Sequence, residues 1–348
     1  VIIPTLNEAE HLPMLLADLA RQQQISLEII IGDGGSTDAT EAVATRLGAR
    51  FVTAPRGRGA QMNAAVATAS GTFLLFLHAD STLDDPLILN TALNTIMTET
   101  QKNSRCAGHF SLRFQRTSGR NALAYRYAEE KTAFNRPNTT NGDQGLLLNA
   151  SFFNSLGGFD EKLPFLEDQR IAEKIRNIGT WITLPGCIST SARRFETEGF
   201  HRRYILMSMI MGLYSIGEEE FFVRAPAVYR TQHETGRLQL SPFFELILYL
   251  IRNVWGFSGT LNAFYRLGRY IRQNSWQMFY FLDVILRPLM GAGRYPCLRF
   301  HDQVFVPCTN FKVFNIMTGV LCFVWFLGVL KPYFRLVEGL ERSSVPSR

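Results

Sequence analysis

Thr72-Phe73-Leu74-Leu75-Phe76-Leu77 runs directly into His78-Ala79-Asp80, and this junction decides the fold. A nearly all-apolar run that stops at polar residues reads as a strand buried on both faces, as strands inside parallel sheets are. Upstream, Val1-Ile2-Ile3 is a β-branched strand stopped by Pro4, and Leu12, Leu15, Leu16 and Leu19 recur at helical spacing. Residues 27–31 form a second strand, ended by Gly32-Asp33-Gly34-Gly35, with a helix over 39–47. A third strand covers 49–52, and a small-residue helix 61–69 leads back to the opening stretch. The order βαβαβαβ predicts a parallel sheet with helices on both faces. Its polar residues fall where strands end, which is where ligands bind in open α/β sheets.

Farther on, strands are expected over 106–114, 145–148 and 180–184, and helices over 150–156 and 167–177. Past residue 216 the pattern changes to long apolar, aromatic helices punctuated by arginine, which divides the chain into 1–215 and 216–348. The net charge of +6 hides the same division: residues 1–200 carry 19 Lys/Arg against 21 Asp/Glu, and residues 201–348 carry 17 against 9. At 46% hydrophobic and 19% charged the chain is no disordered polymer. Five scattered cysteines without C-x-x-C spacing argue against a disulfide framework or zinc site, and for a reducing compartment. Val1 falls inside a strand, so residues are expected upstream of it; no signal-peptide pattern is visible at this end.

Five loops carry chemistry. Pro4-Thr5-Leu6-Asn7-Glu8 offers hydroxyl, amide and carboxylate groups to a base or ribose, or merely caps the next helix. Asp33-Gly34-Gly35-Ser36-Thr37-Asp38 lets backbone approach a ligand closely and is also compatible with a plain turn and cap; it is not G-x-G-x-x-G, so a hydride-transfer site lacks its fingerprint. Pro55-Arg56-Gly57-Arg58-Gly59, leading into a helix, suits a diphosphate but is no Walker loop. His78 and Asp80 point the same way from an extended segment and can converge on one divalent cation, or Asp80 caps a helix. Glu167-Asp168 opens a helix, where a carboxylate either complements the dipole or stands as a general base.

In this order the segments, with Gly157-Gly158-Phe159-Asp160, resemble the family 2 glycosyltransferases of the GT-A fold over roughly residues 1–215. The resemblance implies an α/β fold with a mainly parallel sheet, followed here by an α-helical appendage. Within the family the chain is most similar to a bacterial arsenosugar-associated (rSAM/selenodomain-associated) subgroup, through Pro55-Arg56-Gly57-Arg58 with Gln61-Met62-Asn63, Gly142-Asp143-Gln144-Gly145 and Ser191-Ala192-Arg193-Arg194-Phe195-Glu196. It implies that Pro4, Thr5, Glu8 and Asp33 line the base and ribose of a nucleotide-diphosphate sugar, and that Arg56 reaches toward the donor. His78, Ala79 and Asp80 would contact the nucleotide sugar, with Asp80 holding Mg²⁺ or Mn²⁺ against the diphosphate. Gly142, Asp143, Gln144 and Glu167 would lie near the sugar or acceptor, Arg193 and Arg194 near the departing phosphates, and Asp168 would take the acceptor proton. The implied reaction is a single inverting displacement. One departure stands out: the family's Asp-x-Asp is here His-x-Asp, which leaves the metal carboxylate in place and alters the ribose position.

Residues 313–330 contain no charge and lie between Lys312 and Lys331. At 1.5 Å per residue they reach about 27 Å, against roughly 30 Å for a bilayer core. Three readings stay open for 216–348: a helical appendage with its own core, a bilayer span, or attachment to one face. Nucleotide sugars place the catalytic part in the cytoplasm, at the cytoplasmic face of the inner membrane if the basic region attaches there. The acceptor is a small molecule, glycan or lipid, and nothing resembles a nucleic-acid module. Two rival functions are weighed: an inactive GT-A-like scaffold at a membrane, motivated by His78, and a nucleotidyltransferase, which would want a Gly-rich basic loop where Pro4-Thr5-Leu6-Asn7-Glu8 stands.

Overall fold

The structure, a computed structural model, describes residues 1–230, 237–291 and 293–343. It divides into two compact units, Val1–Ala192 and Arg193–Arg348. The first is built on one eight-stranded sheet: β1 Ile2–Thr5, β2 Ile30–Asp33, β3 Arg50–Thr53, β4 Phe73–Phe76, β5 Ser81–Thr82, β6 Cys106–Gln115, β7 Leu146–Asn149 and β8 Thr180–Ser191, in the spatial order β3-β2-β1-β4-β7-β6-β8-β5. The opening βαβαβαβ run forms the parallel half, β3-β2-β1-β4, as expected. β7 enters antiparallel to both β4 and β6, β6 and β8 pair in parallel, and the two-residue β5 lies antiparallel to β8. The sheet is thus mainly parallel, with its direction broken at β7.

Alternate apolar residues of these strands share one core on one face of the sheet. Ile2, Ile30, Leu74, Phe76 and Leu148 are buried with Met62 and Ala65 of the helix Arg58–Val66, and with Ile171 and Ile175 of the helix Glu167–Ile178. Each such isoleucine, fully withdrawn from water, contributes roughly 1.5–3 kcal/mol. Phe76 also sits 4.9 and 5.1 Å from the rings of Phe159 and Phe153, tying β4 to the segment that precedes the Glu167 helix. Because β1, β2, β3 and β4 run in parallel, the loops after them emerge at one edge of the sheet.

Several boundaries moved. The second strand starts at Ile30 and not at 27, the third helix starts at Arg58, and β8 runs on to Ser191. That last extension follows a register shift between His109 and Ser111, after which β6 and β8 pair again. Helices Ile88–Lys102 and Ala122–Lys131 fall in two stretches that sequence pattern alone does not fully assign.

The second unit is helical. Its main elements are Phe200–Ser215, Glu219–Arg230, Ser241–Tyr249, Gly256–Gln273, Trp276–Met290 and a continuous helix that includes Lys312–Glu341. The compact division falls after Ala192, ahead of the composition change at 215/216. Phe200–Ser215 belongs with the helices that follow, since Gly212 closes on Leu267 of Gly256–Gln273.

Candidate active site

The loops after β1 and β2 are locked together. Asn7, in left-handed conformation at φ 58°, receives the backbone N–H of Thr37 at 2.8 Å, while Glu8 N–H donates to Thr40 at 3.0 Å. Asp33, 3% exposed, accepts from Thr5 Oγ1 at 2.8 Å, Ser36 Oγ at 2.5 Å, and the N–H groups of Gly35 and Ser36 at 2.9 and 2.7 Å. Burial pushes the Asp33 carboxyl up, but these donors outweigh it and hold it below the ordinary range. Asp33 and buried Thr5 therefore spend their side-chain hydrogen bonds within the protein, joining the ends of β1 and β2. Pro4 is buried within β1, and Glu8 pairs with His11 at 3.2 Å. Arg56 is exposed on the loop after β3.

The chemistry concentrates past β4. His78 Nδ1 lies 2.7 Å from Asp143 Oδ1, and ligand atoms of His78, Asp80 and Asp143 all fall within 4.8 Å of one another. All three are partly exposed, whereas Ala79 between them is buried. Burial works against a charged His78, but the Asp143 hydrogen bond and charge prevail and raise its pKa above 6.5. The contact depends on Gly142. A Cβ there would stand 2.6 Å from His78 Nε2 and 3.3 Å from Asp168 Oδ2, so the bare backbone lets His78 and Asp168 flank the same turn. Gln144 fixes that turn from beneath. It is fully buried, its Oε1 accepts from Asn141 N–H at 2.9 Å, and its amide donates to the carbonyls of Thr132 and Phe110 at 3.0 and 3.3 Å.

Glu167 and Asp168 open the helix opposite this cluster. Glu167, 2% exposed, is held by Arg58 Nε at 2.8 Å. Burial raises the Glu167 pKa, Arg58 pulls it down and Asp168 pushes it up again, leaving it above the ordinary value. Arg58 is kept charged against its own burial by Glu167, then Asp168, Asp143 and Asp80. Asp168 is partly exposed and accepts a local bond from Gln169 N–H at 2.8 Å. His78, Thr140, Gly142, Glu167, Asp168 and Trp181 line one recess. Thr140 Oγ1 and Trp181 Nε1, both buried in its wall, have no hydrogen-bond partner among the described residues. Such groups are costly unless a ligand or water meets them.

The structure thus unites His78, Asp80, Gly142, Asp143, Glu167 and Asp168. Arg193 and Arg194 open the helix Arg193–Glu198 in the second unit. Sequence reading missed three partnerships: Asp143 with the His78–Asp80 pair, Arg58 rather than Arg56 turning toward the acidic cluster, and Trp181 in the recess. Each joins residues far apart in the chain, and only the close Arg-Gly-Arg spacing hinted that one of two arginines could turn inward.

Curated relatives match over short stretches. A PGL/p-HBAD biosynthesis glycosyltransferase of Mycobacterium bovis is 43% identical over 90 residues, 24% of this chain and 35% of that protein. An uncharacterized glycosyltransferase of Mycobacterium tuberculosis is 36% identical over 85 residues, 24% of this chain and 37% of that protein. The chain therefore covers little more than a third of the length of these relatives. Among solved structures, a mannosyltransferase from Pyrobaculum calidifontis in complex with GDP-Man and Mn²⁺ is similar with a TM-score of 0.46 and 18% identity, over 95% of this chain and 86% of that one. Staphylococcus aureus TarS 1–349 in complex with UDP gives 0.46 and 16%, over 91% and 88%. Likeness at that level carries no conclusion about this chain's chemistry. Residues 1–142, which hold β1 to β4, the His78-Ala79-Asp80 turn and Gly142, match the model of Glycosyl transferase family 2.

Proposed function

We propose that this chain is an inverting glycosyltransferase that moves a sugar from a nucleotide-diphosphate donor to an acceptor hydroxyl. The observation that carries the reading is the convergence of His78, Asp80 and Asp143 beside Asp168 around the Gly142 turn. The acceptor oxygen attacks the anomeric carbon, the bond from that carbon to the diphosphate breaks, and Asp168 takes the hydroxyl proton. Glu167, kept in place by Arg58, positions the helix that presents Asp168. Thr140 and Trp181 offer their free polar atoms to hydroxyls of the sugar or acceptor.

The donor set fits a divalent cation: two carboxylates and one imidazole, with room left for phosphate oxygens. His78, Asp80 and Asp143 would hold it, and imidazole alongside carboxylate favours Mn²⁺ over Mg²⁺. When bound, the ion stabilises charge on the departing diphosphate. The loops after β1 and β2 would receive base and ribose, with Pro4, Thr5, Glu8 and Asp33 forming the wall. Arg56 would answer the phosphates. The narrower kinship to the arsenosugar-associated subgroup rests on Pro55-Arg56-Gly57-Arg58, the Gly142 turn and Ser191-Ala192-Arg193-Arg194.

The test pairs binding with turnover. Thermal-shift screening of nucleoside diphosphates and their sugars with Mn²⁺ is expected to find a stabilising donor class, and Asp80→Ala or Asp143→Ala to lose the Mn²⁺-dependent part of the shift. Asp168→Asn should still bind that donor while transfer falls about 10²–10⁴-fold. Undiminished transfer by Asp168→Asn would remove the base assignment, and shifts indifferent to EDTA would remove the metal.

A further inference from the structure

We infer that the second unit is an integral membrane unit, its outward helix faces solvated by acyl chains. Among the described residues, large apolar side chains stand exposed at 6 positions in Val1–Ala192 and at 28 positions in the shorter second unit. Exposed apolar residues scattered singly are ordinary on a soluble protein, but a continuous apolar surface is not. The helix Lys312–Glu341 makes the point most directly. Its most apolar window has a mean hydropathy of 2.2 and is only 17% buried. Val313, Ile316, Val320, Leu321 and Val324 recur at helical spacing along it and are between 53% and 66% exposed. The same holds on neighbouring helices, with Phe257 84% exposed on Gly256–Gln273 and Leu289 83% exposed on Trp276–Met290.

The interior holds apolar side chains such as Phe221, Phe243 and Phe244, and buried among them are charged groups with partners of their own. Arg272, 7% exposed, donates to Asn315 at 2.7 Å and to Asn310 at 2.9 Å. The Asp283 carboxylate, 3% exposed, accepts the N–H groups of Cys297 and Leu298, each at 2.8 Å. Glu338, 2% exposed, accepts from Leu240 N–H at 2.6 Å. Charged groups kept inside with partners, while further large apolar side chains face outward, suit a hydrocarbon solvent.

Packing agrees. Gly268 and Gly319 bring two helices into backbone contact, since a Cβ on Gly268 would lie 2.1 Å from the Asn315 carbonyl oxygen and one on Gly319 2.3 Å from that of Phe264. Close approach through small residues holds helices together where large apolar side chains gain nothing by leaving the solvent. Lys312 and Lys331 bound the uncharged stretch, and residues 201–348 carry 17 Lys/Arg against 9 Asp/Glu. This charge suits anionic headgroups at the border of the acyl region. The inference rests on the second unit alone and is independent of the proposed transfer chemistry.

The full chain is to be expressed in bacteria and its membrane fraction washed with high salt and with alkaline carbonate. Retention through both washes, followed by release in detergent, is the expected result; release by either wash overturns integral insertion. Purified in detergent and reconstituted, the chain should float with phosphatidylcholine vesicles and more completely when phosphatidylglycerol is included. Leu321→Glu/Val324→Glu, on the outward face, should lower flotation at least ~10-fold, because charge near a helix centre is costly in lipid. Leu321→Phe/Val324→Leu should float as the wild type does, and circular dichroism in detergent checks that both variants keep their helices. Undiminished flotation of a helical double-Glu variant would sink the assignment, as would a soluble, discrete oligomer formed without detergent or lipid, which would mean that a second copy covers the faces.

Discussion

At the scale of single residues, His109 shows how a buried group can set pH behaviour away from the chemistry. Its ring is fully buried on β6, stacked 5.4 Å from Trp181, and its Nε2–H donates to the Thr132 carbonyl at 3.1 Å. Among the described residues its buried Nδ1 has no hydrogen-bond partner, so a second proton finds no acceptor there. Burial therefore lowers the His109 pKa to about 4, against the raising effect of the Thr132 carbonyl. A histidine depressed in the folded state favours folding fully above its unfolded value near 6.5, and that contribution is lost as pH falls from there toward about 4. The loss amounts to roughly 3 kcal/mol at most. Denaturant unfolding followed by tryptophan fluorescence should show declining stability across this window, and His109→Gln should flatten the decline. An equally steep decline in the variant would move its cause to other groups. Asp33 acts in a lower window: its depressed pKa is stabilising above the ordinary carboxylate range and is forfeited only as pH falls through it.

At the scale of elements, the decisive one is the helix Glu167–Ile178. Leu166 enters it at φ 70°, a left-handed conformation that a leucine seldom adopts, and the Arg58–Glu167 pair clamps the first turn against the helix Arg58–Val66. Local strain that persists beside a cluster of carboxylates belongs to positioning. Arg58→Met strands Glu167 without its cation; because Arg58 is 40% exposed, the cost is expected nearer ~1–2 kcal/mol than the full value of a buried pair. Arg58→Met/Glu167→Gln should recover stability while transfer stays low, as melting temperatures and kcat together would reveal. Recovery of transfer by the double variant would reduce the pair to mere packing. The parallel half of this sheet was readable because β1, β2 and β4 are short apolar runs separated by segments of helical spacing. Three site loops were readable too, since Gly, Asp and Arg break such runs at strand ends. The antiparallel β7 and the extension of β8 were not, because strand direction and register are settled by partners far away in the chain. Asp143 was legible as a polar residue beside glycine, but its approach to His78 depends on the folded Gly142 turn. The hydroxyl and amide donors to Asp33 are not legible in the sequence, because they assemble only when the loops after β1 and β2 close.

At the scale of the molecule, the chain joins two units that solve opposite solvation problems. Val1–Ala192 buries Ile2, Leu74 and Phe76 around a sheet and leaves few large apolar side chains exposed, whereas Arg193–Arg348 buries Arg272, Asp283 and Glu338 within its core and exposes many large apolar side chains. Each has its own core, so each should unfold as its own cooperative transition. A ligand that binds one native unit raises that unit's stability by RT ln(1 + [L]/Kd), about 2.7 kcal/mol at 100 times Kd. Nucleoside diphosphate with Mn²⁺ is therefore expected to move only the transition of the first unit, reported by Trp181, the sole tryptophan before residue 192. Exchange from detergent into lipid bilayers should move only the other, reported by helical circular dichroism, which the second unit dominates through its long helices. Calorimetry on the full chain, with each addition made separately and then together, gives the four thermograms required. Two transitions that respond independently would place donor binding and membrane stability in separate units, and a single transition moved equally by both additions would refute it.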